Sequence, residues 1–347
     1  MIKEAINLIS YHHNLTEKQA QEAINDVICG SASDVQIAAF LTGLRVKGET
    51  AAEISGGVKA LRSHAVQISP KVTNSIDIVG TGGDQSGTFN ISSASAMVAA
   101  AAGAYVAKHG NRSVSSRSGS ADVFEKLGLD IQIDTASACH CLEKYHFVFL
   151  YAPLYHPAMK HAAPVRKALG IRTLFNLLGP LANPSAVEAM LLGVCSASLC
   201  DDMAQALSAI GVKRAMVVNS LDQTDEISLA APTAVIEIHH GEKRSYRIQP
   251  EDFGFRRCSL KDLKGGSPEE NAYLIETIFN GKPGPARDVI ALNAGAALYL
   301  ADIAKSIEEG CAIALETISS GKAAAFLRTI RQKHQKSENQ QKAGVGL

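Results

Sequence analysis

Apolar residues recur along this chain with two different periods. Over the first 70 residues the spacing is three to four: Ile2, Ala5, Ile6 and Ile9; Ala23, Ile24 and Val27; Ile37, Phe40, Leu41 and Leu44; Ile54, Val58 and Leu61. Such stripes predict amphipathic helices. Thr16 with Gln19, Ser33 with Gln36, and Thr50 with Glu53 fit capping boxes that open three of them. Residues 1–70 therefore predict a small all-helical domain, and Ser69-Pro70-Lys71 a linker.

From Ile76 the pattern changes to short apolar runs alternating with helical stretches. Strands are predicted at 76–79, 105–107, 131–133, 147–152, 189–194 and 215–218, with a hairpin at 235–239 and 244–248. Helices are predicted from Ser92 or Ser93 to Gly103, then at 121–127, 135–145, 199–210, 267–280, 286–304 and 306–319. Alternation of this kind makes residues 71–331 an α/β domain, with a central, mostly parallel sheet flanked by helices. From Gln332 the chain is polar and aperiodic, which predicts a frayed tail over 332–347.

Charge and composition narrow the function. Lysine plus arginine equal aspartate plus glutamate, 34 of each, so no global field draws the chain to nucleic acid or to a membrane. Seven scattered cysteines include no CxxC pair, which predicts free thiols in a reducing compartment. The opening stretch lacks a signal-peptide core and no apolar run is long enough for a bilayer span, so a cytoplasmic protein is expected.

Chemistry concentrates in two loops. Gly80, Gly82, Gly83 and Gly87 follow the first strand and precede a helix. Glycines there let backbone N–H groups and a helix N-terminus face an anion. The second loop holds Lys108, Arg112 and Arg117 among Asn111 and several serines. After neighbouring parallel strands, the two would meet above the carboxyl edge of the sheet, where open α/β folds bind ligands. A pocket for a phosphorylated substrate is the functional reading, and flexible surface loops the plain one.

Two further stretches stand out. In 155–184, Pro164 opens a short helix and places Arg166 in its first turn, where the macrodipole disfavours a cation. Such a charge calls for an anionic partner such as a substrate carboxylate; a solvated helix arginine is the competing reading. In 219–226, Asp222, Asp225 and Glu226 crowd a loop after a strand. Either they are solvated or they hold a hard cation such as magnesium.

The motif GTGGD followed by KHGNRSVSSRSGSAD resembles the anthranilate phosphoribosyltransferase family, within the group that contains pyrimidine-nucleoside phosphorylases. QIAAFL, RVKGET and VRKALGIRTLFNLLGPLANP are similar to the same family, so the resemblance spans roughly 1–330. It implies Mg²⁺-dependent transfer of a phosphoribosyl group from phosphoribosyl diphosphate to the amine of anthranilate, in tryptophan biosynthesis. It also implies a homodimer through the helical domain, with helices around 157–184 joining that domain in space.

The resemblance assigns phosphoribosyl diphosphate to Gly80, Gly83, Asp84, Thr88, Asn90, Ile91, Ser92, Ser93, Lys108, His109, Gly110, Asn111, Arg112, Ser113, Val114, Ser115, Ser116 and Ser120. Gly80, Asn111 and Arg166 fall to anthranilate, with His109 and Pro180 along its path. Ser92, Asp225 and Glu226 fall to the metal. No residue is assigned as a strong acid or base. One departure stands out: Asn219-Ser220 replaces the usual His-Gly, and Thr224 the usual leucine, which puts the shape of the acidic loop in doubt. Two alternatives remain, a pyrimidine-nucleoside phosphorylase-like enzyme and a non-catalytic nucleic-acid-binding relative.

Overall fold

The structure, a computed structural model, describes residues 1–113 and 117–344, with side chains through Lys333. Four helices form the N-terminal bundle: α1 (Ile2–Ser10), α2 (Glu17–Ile28), α3 (Asp34–Lys47) and α4 (Ala51–Ser63). All three capping boxes close, each hydroxyl accepting from the N3 amide while the N3 side chain returns to the cap N–H. Buried Glu53 also accepts from the Leu15 N–H at 2.9 Å and from Lys47 Nζ at 3.0 Å, tying α4 to α3 and to the turn between α1 and α2.

The rest of the chain builds one seven-stranded sheet in the order β3-β2-β1-β4-β5-β6-β7. Its strands are β1 (Ile76–Gly80), β2 (Val106–Gly110), β3 (Phe147–Tyr151), β4 (Ala189–Gly193), β5 (Arg214–Ser220), β6 (Thr233–His239) and β7 (Glu242–Ile248). Strands β1 to β5 run parallel, while β6 and β7 are antiparallel and turn through His240-Gly241. The chain leaves β1 toward β2 on one side and returns as β4 on the other. The topological switch point therefore lies at the carboxyl end of β1, where a ligand crevice is expected.

The helices after β1 are α5 (Ile91–Ala101), α6 (Ser120–Lys126), α7 (Thr135–Tyr145), α8 (Ala152–Tyr155), α9 (Ala163–Leu169) and α10 (Leu174–Leu181). Those after β4 are α11 (Cys200–Ala209), α12 (Pro268–Phe279), α13 (Pro285–Leu300), α14 (Ile307–Ser319) and α15 (Lys322–Gly344). The period of two along each strand sorts side chains between two cores. Ile76, Ile78, Phe147, Phe149, Leu191, Met216 and Val218 pack with α5 and α12 to α15. Val148, Leu150, Met190, Leu192 and Val217 instead share one core with the helical bundle, α10 and α11. Helix α9 packs on α3, and α10 on α4, so these two helices span from the sheet to the bundle.

Three local expectations change. Strand β2 runs on through Lys108 and His109, because both find ladder partners in β3, opposite Phe149 and Leu150. Residues 131–133 form no strand; Ile131 and Ile133 alternate because each is buried in a different core, without a ladder. The chain beyond Gln332, predicted as frayed, continues α15 to Gly344, since its Gln, Lys and Glu residues are good helix formers without an apolar stripe.

Candidate functional site

The two loops meet as the strand order requires. Beyond β1 the glycine loop turns with Gly82 and Gly83 at φ of 65° and 73°, a left-handed region that suits glycine. Gly80 is glycine for another reason: a methyl there would collide with Asp225 Oδ2. The loop is then pinned from the far side, where the Phe89 N–H donates to Leu263 O at 3.0 Å and Gly265 N–H to Gly87 O at 2.8 Å. Asn90 caps no amide; its Nδ2 donates to Ser118 O at 3.1 Å, and Asn271 Nδ2 donates to its Oδ1 at 2.9 Å.

The loop after β5 settles the question raised by Asn219 and Thr224. Asp222 is a structural carboxylate, accepting from the Thr224 N–H (3.1 Å), Thr224 Oγ1 (2.8 Å) and Ser228 Oγ (2.6 Å). Asn219 Nδ2 donates to Val194 O at 2.7 Å. This bracing turns the next two residues inward. Asp225 Oδ2 accepts from the Gly82 N–H at 2.7 Å, and Glu226 Oε1 from the Ser92 N–H at 3.1 Å, at the N-terminus of α5.

Burial pushes both carboxyls well above the usual carboxylate range, and facing acids (Asp84 beside Asp225, Asp225 beside Glu226) add to the rise. Buried Lys108 lies beside them, its ammonium held by Ile78 O and 3.5 Å from Ser92 Oγ; burial lowers its pKa. Among the described residues, no three His, Cys, Asp or Glu side chains close into a metal cage. Hard oxygens from Asp225, Glu226 and Ser92 on one open side suit a cation completed by substrate phosphates.

On the opposite face of β1 and β2 lies a cavity of about 460 Å³. The period of two places Lys108 toward α5 and His109 toward this cavity, one residue apart on one strand. Val79, Leu61, Met159, Phe175 and Pro180 give it apolar walls, and Gly80, Thr81, Gly110 and Asn111 open it to the loops. Arg166 enters from α9 with its guanidinium 5.3 Å from the centre of the Phe175 ring. No carboxylate among the described residues pairs with Arg166, and burial lowers its pKa. The helix has seven residues and Arg166 lies in its last turn as well as near its start, so the dipole does not oppose it. Desolvation without a partner, not the dipole, is what calls for an anion.

His109 and His156 stack edge to face in the cavity wall, centroids 5.1 Å apart. Buried His109 pairs its Nδ1 with Gly179 O at 3.2 Å, while its Nε2 finds no hydrogen-bond partner among the described residues. Burial lowers the two pKa values to about 3 and about 4, so both rings are neutral. Neutral Nδ1 must then carry the proton it gives to Gly179 O, which leaves a lone pair on Nε2. Depressed folded-state values mean stability that is present above the unfolded value near 6.5 and lost as pH falls toward the folded ones. Between about pH 7 and pH 5 the wild type should lose on the order of 3 kcal/mol more than the H109Q/H156Q double variant, read by urea unfolding. Parallel pH profiles for the two proteins would refute this.

With this geometry in place, comparison with known proteins is informative. A model of the glycosyl transferase family, a/b domain, matches residues 72–324, and one of its helical bundle domain matches 3–65. The anthranilate phosphoribosyltransferase of Acetivibrio thermocellus is 50% identical over 323 residues, covering 93% of this chain and 94% of the relative. The chain belongs to the anthranilate phosphoribosyltransferase family. The enzyme of Symbiobacterium thermophilum is 44% identical, covering 95% of this chain and 97% of its own. The crystal structure of the Thermus thermophilus enzyme superposes with a TM-score of 0.90 at 41% identity, covering 94% and 98%. That of Saccharomyces cerevisiae, in complex with PRPP and Mg, gives 0.88 at 28%, covering 96% and 98%.

Most residues assigned from the sequence converge here: Gly80, Gly83, Asp84, Thr88, Asn90, Ser92, Lys108, Gly110, Asn111, Ser120, Asp225 and Glu226 at the loops, and His109, Arg166 and Pro180 at the cavity. Ile91 and Ser93 are buried in the first turn of α5. Arg112 faces Asp122 (2.9 Å) and Glu125 (2.6 Å), and the Ser113 N–H donates to Asp122 Oδ2 at 3.1 Å. The arginine is thus matched by acids of α6. Val114, Ser115 and Ser116 lie outside the described residues. Sequence reasoning missed Leu61, Val79, Met159, His156 and Arg172. His156-Pro157 was visible in YHPAMKH, but apolar wall residues are indistinguishable from core in a sequence.

Proposed function

We propose that this chain transfers the phosphoribosyl group of phosphoribosyl diphosphate to the amine of anthranilate, releasing diphosphate, in tryptophan biosynthesis. The observation that carries the reading is Gly80, which lines the aromatic-sized cavity and also begins the glycine loop against Asp225. An acceptor and a donor can meet there.

Each side chain then has work set by its surroundings. Arg166 binds the anthranilate carboxylate through its guanidinium fork, with the ring between Phe175 and the apolar walls. The lone pair of His109 Nε2 accepts from the amine; at so low a pKa it orients the amine and does not act as a base. Asn111, at the mouth, borders both substrates. Free amides of the glycine loop, the N-terminus of α5 and Lys108 receive the phosphates. Mg²⁺ would be held by Asp225, Glu226 and Ser92, and supplies charge neutralisation for the departing diphosphate. Catalysis is positioning plus electrostatics.

The chain also pairs with a second copy through the bundle. Val35, Ala39 and Val46 are exposed along one side of α3, Val35 by 79% and Val46 by 73%, an apolar stripe that suits a dimer face. V46E should shift sedimentation from dimer to monomer. A wild type that already sediments as a monomer rules the dimer out. No helix among the described residues is long and apolar enough to cross a membrane, and all seven thiols are free, which fits a cytoplasmic setting.

Mixing the protein with anthranilate, phosphoribosyl diphosphate and Mg²⁺ tests the reaction. Loss of anthranilate fluorescence with equimolar diphosphate release is expected, and no loss from folded protein overturns the reading.

A further inference from the structure

Arg172 has no place in the steps above. It stands in the short link between α9 and α10, in the segment that carries Arg166 and the Gly179-Pro180 wall. Yet its guanidinium leaves that segment and reaches the glycine loop, with Nη1 donating to Gly82 O and Nη2 lying 3.4 Å from Thr81 O. No carboxylate among the described residues pairs with it. A planar fork matches two successive carbonyls in a way that a lysine ammonium cannot.

The loop is shaped to receive this contact. A methyl group on Gly83 would collide with Arg172 Nη1, and Gly83 also holds a left-handed φ. The Gly82 peptide is gripped from its other end as well, because its N–H donates to Asp225 Oδ2 at 2.7 Å. One residue of the donor loop thus joins the acceptor segment, through Arg172, to the acidic pair, through Asp225. Carbonyl oxygens aimed at an incoming diphosphate would repel it. Arg172 draws two of them toward the acceptor side and neutralises their dipoles.

We propose that Arg172 is a positioning residue that couples the donor and acceptor subsites, holding the glycine loop in register with the segment that bears Arg166. The proposal rests on the phosphoribosyl-transfer reading. Ordering of the loop by the donor firms the α9–α10 link, and by linkage an acceptor bound at that link tightens donor binding by the same factor. Arg172 touches neither reacting centre, so its effect falls on binding and on the mutual dependence of the substrates.

An initial-rate grid in both substrates, on wild type, R172M, R172K and R166A, reads this directly. In the wild type the KM of each substrate should fall as the other is raised. In R172M that dependence should vanish and both KM values rise about tenfold, whereas R166A should raise the KM for anthranilate alone. R172K, which keeps charge and stem but not the fork, should lie between them, and it carries the test if R172M does not fold. Hydrogen exchange on the ligand-free protein supplies a readout without turnover: the Gly82 and Gly83 amides should exchange about tenfold faster in R172M. Wild-type KM values with wild-type exchange would overturn the proposal. A wild type that consumes no anthranilate would instead sink the transfer reading, and the exchange result would still judge the grip of Arg172 on the loop.

Discussion

Replacing Arg166 by alanine is expected to lower kcat/KM for anthranilate by about two to three orders of magnitude. The guanidinium is desolvated, lies against Phe175 and has no protein carboxylate among the described residues. Removing one member of a buried, hydrogen-bonded charge pair costs about 2–5 kcal/mol, and each 1.4 kcal/mol is about tenfold. The KM for phosphoribosyl diphosphate should stay within about threefold, because Arg166 lies in the cavity wall and not at the loops. Steady-state kinetics in each substrate decides the matter. An equal rise in both KM values would remove Arg166 from the acceptor subsite.

The D225N/E226Q double variant should lose at least about three orders of magnitude in Mg²⁺-dependent turnover, since amides replace both hard anionic ligands. The same variant should melt at a higher temperature without ligands. Both carboxyls titrate above their ordinary range because they are buried beside other acids. For a raised carboxyl, stability is fully present below the unfolded pKa near 4 and is lost as pH rises through the folded value. Near pH 8 the wild type therefore holds unfavourable charge that asparagine and glutamine lack, while the amide oxygens can still accept from Gly82 and Ser92. Activity with an unchanged Mg²⁺ requirement would overturn the metal assignment. An unchanged or lower melting temperature at pH 8 would show that the pair is already compensated in the free protein. Such opposition between stability and function is expected where charges are held ready for a ligand.

Much of the architecture was readable because it is written in local patterns. The three capping boxes place helix starts to the residue, and the changing period separates bundle from sheet. GTGGD after a strand and before a helix is a spacing that suits an anion-facing turn. Asp225 and Glu226 were readable as a pair, but not the reason for their inward aim. That reason is Asp222, whose three hydrogen bonds brace the loop and make the unusual Asn219 and Thr224 compatible with it. Arg166 was selected on a dipole argument that the short helix does not support; its burial without a carboxylate partner among the described residues is the physical ground on which its proposed role rests.

Sequence by itself determined most of the elements, their order, and the presence of the glycine loop, the acidic pair and the arginine, since each depends on neighbours a few residues away. Tertiary structure alone decided which face each side chain meets. Lys108 and His109 are adjacent in the chain, yet strand pairing through Gly110 sends one toward the glycine loop and α5 and the other to the cavity on the opposite face. Leu61 and Arg172 join the site from α4 and from the α9–α10 link, and nothing local distinguishes them from core or linker residues. Their placement follows from the return of α9 and α10 across the bundle, a long-range contact whose energy is spread over many apolar residues and is therefore silent in any single one.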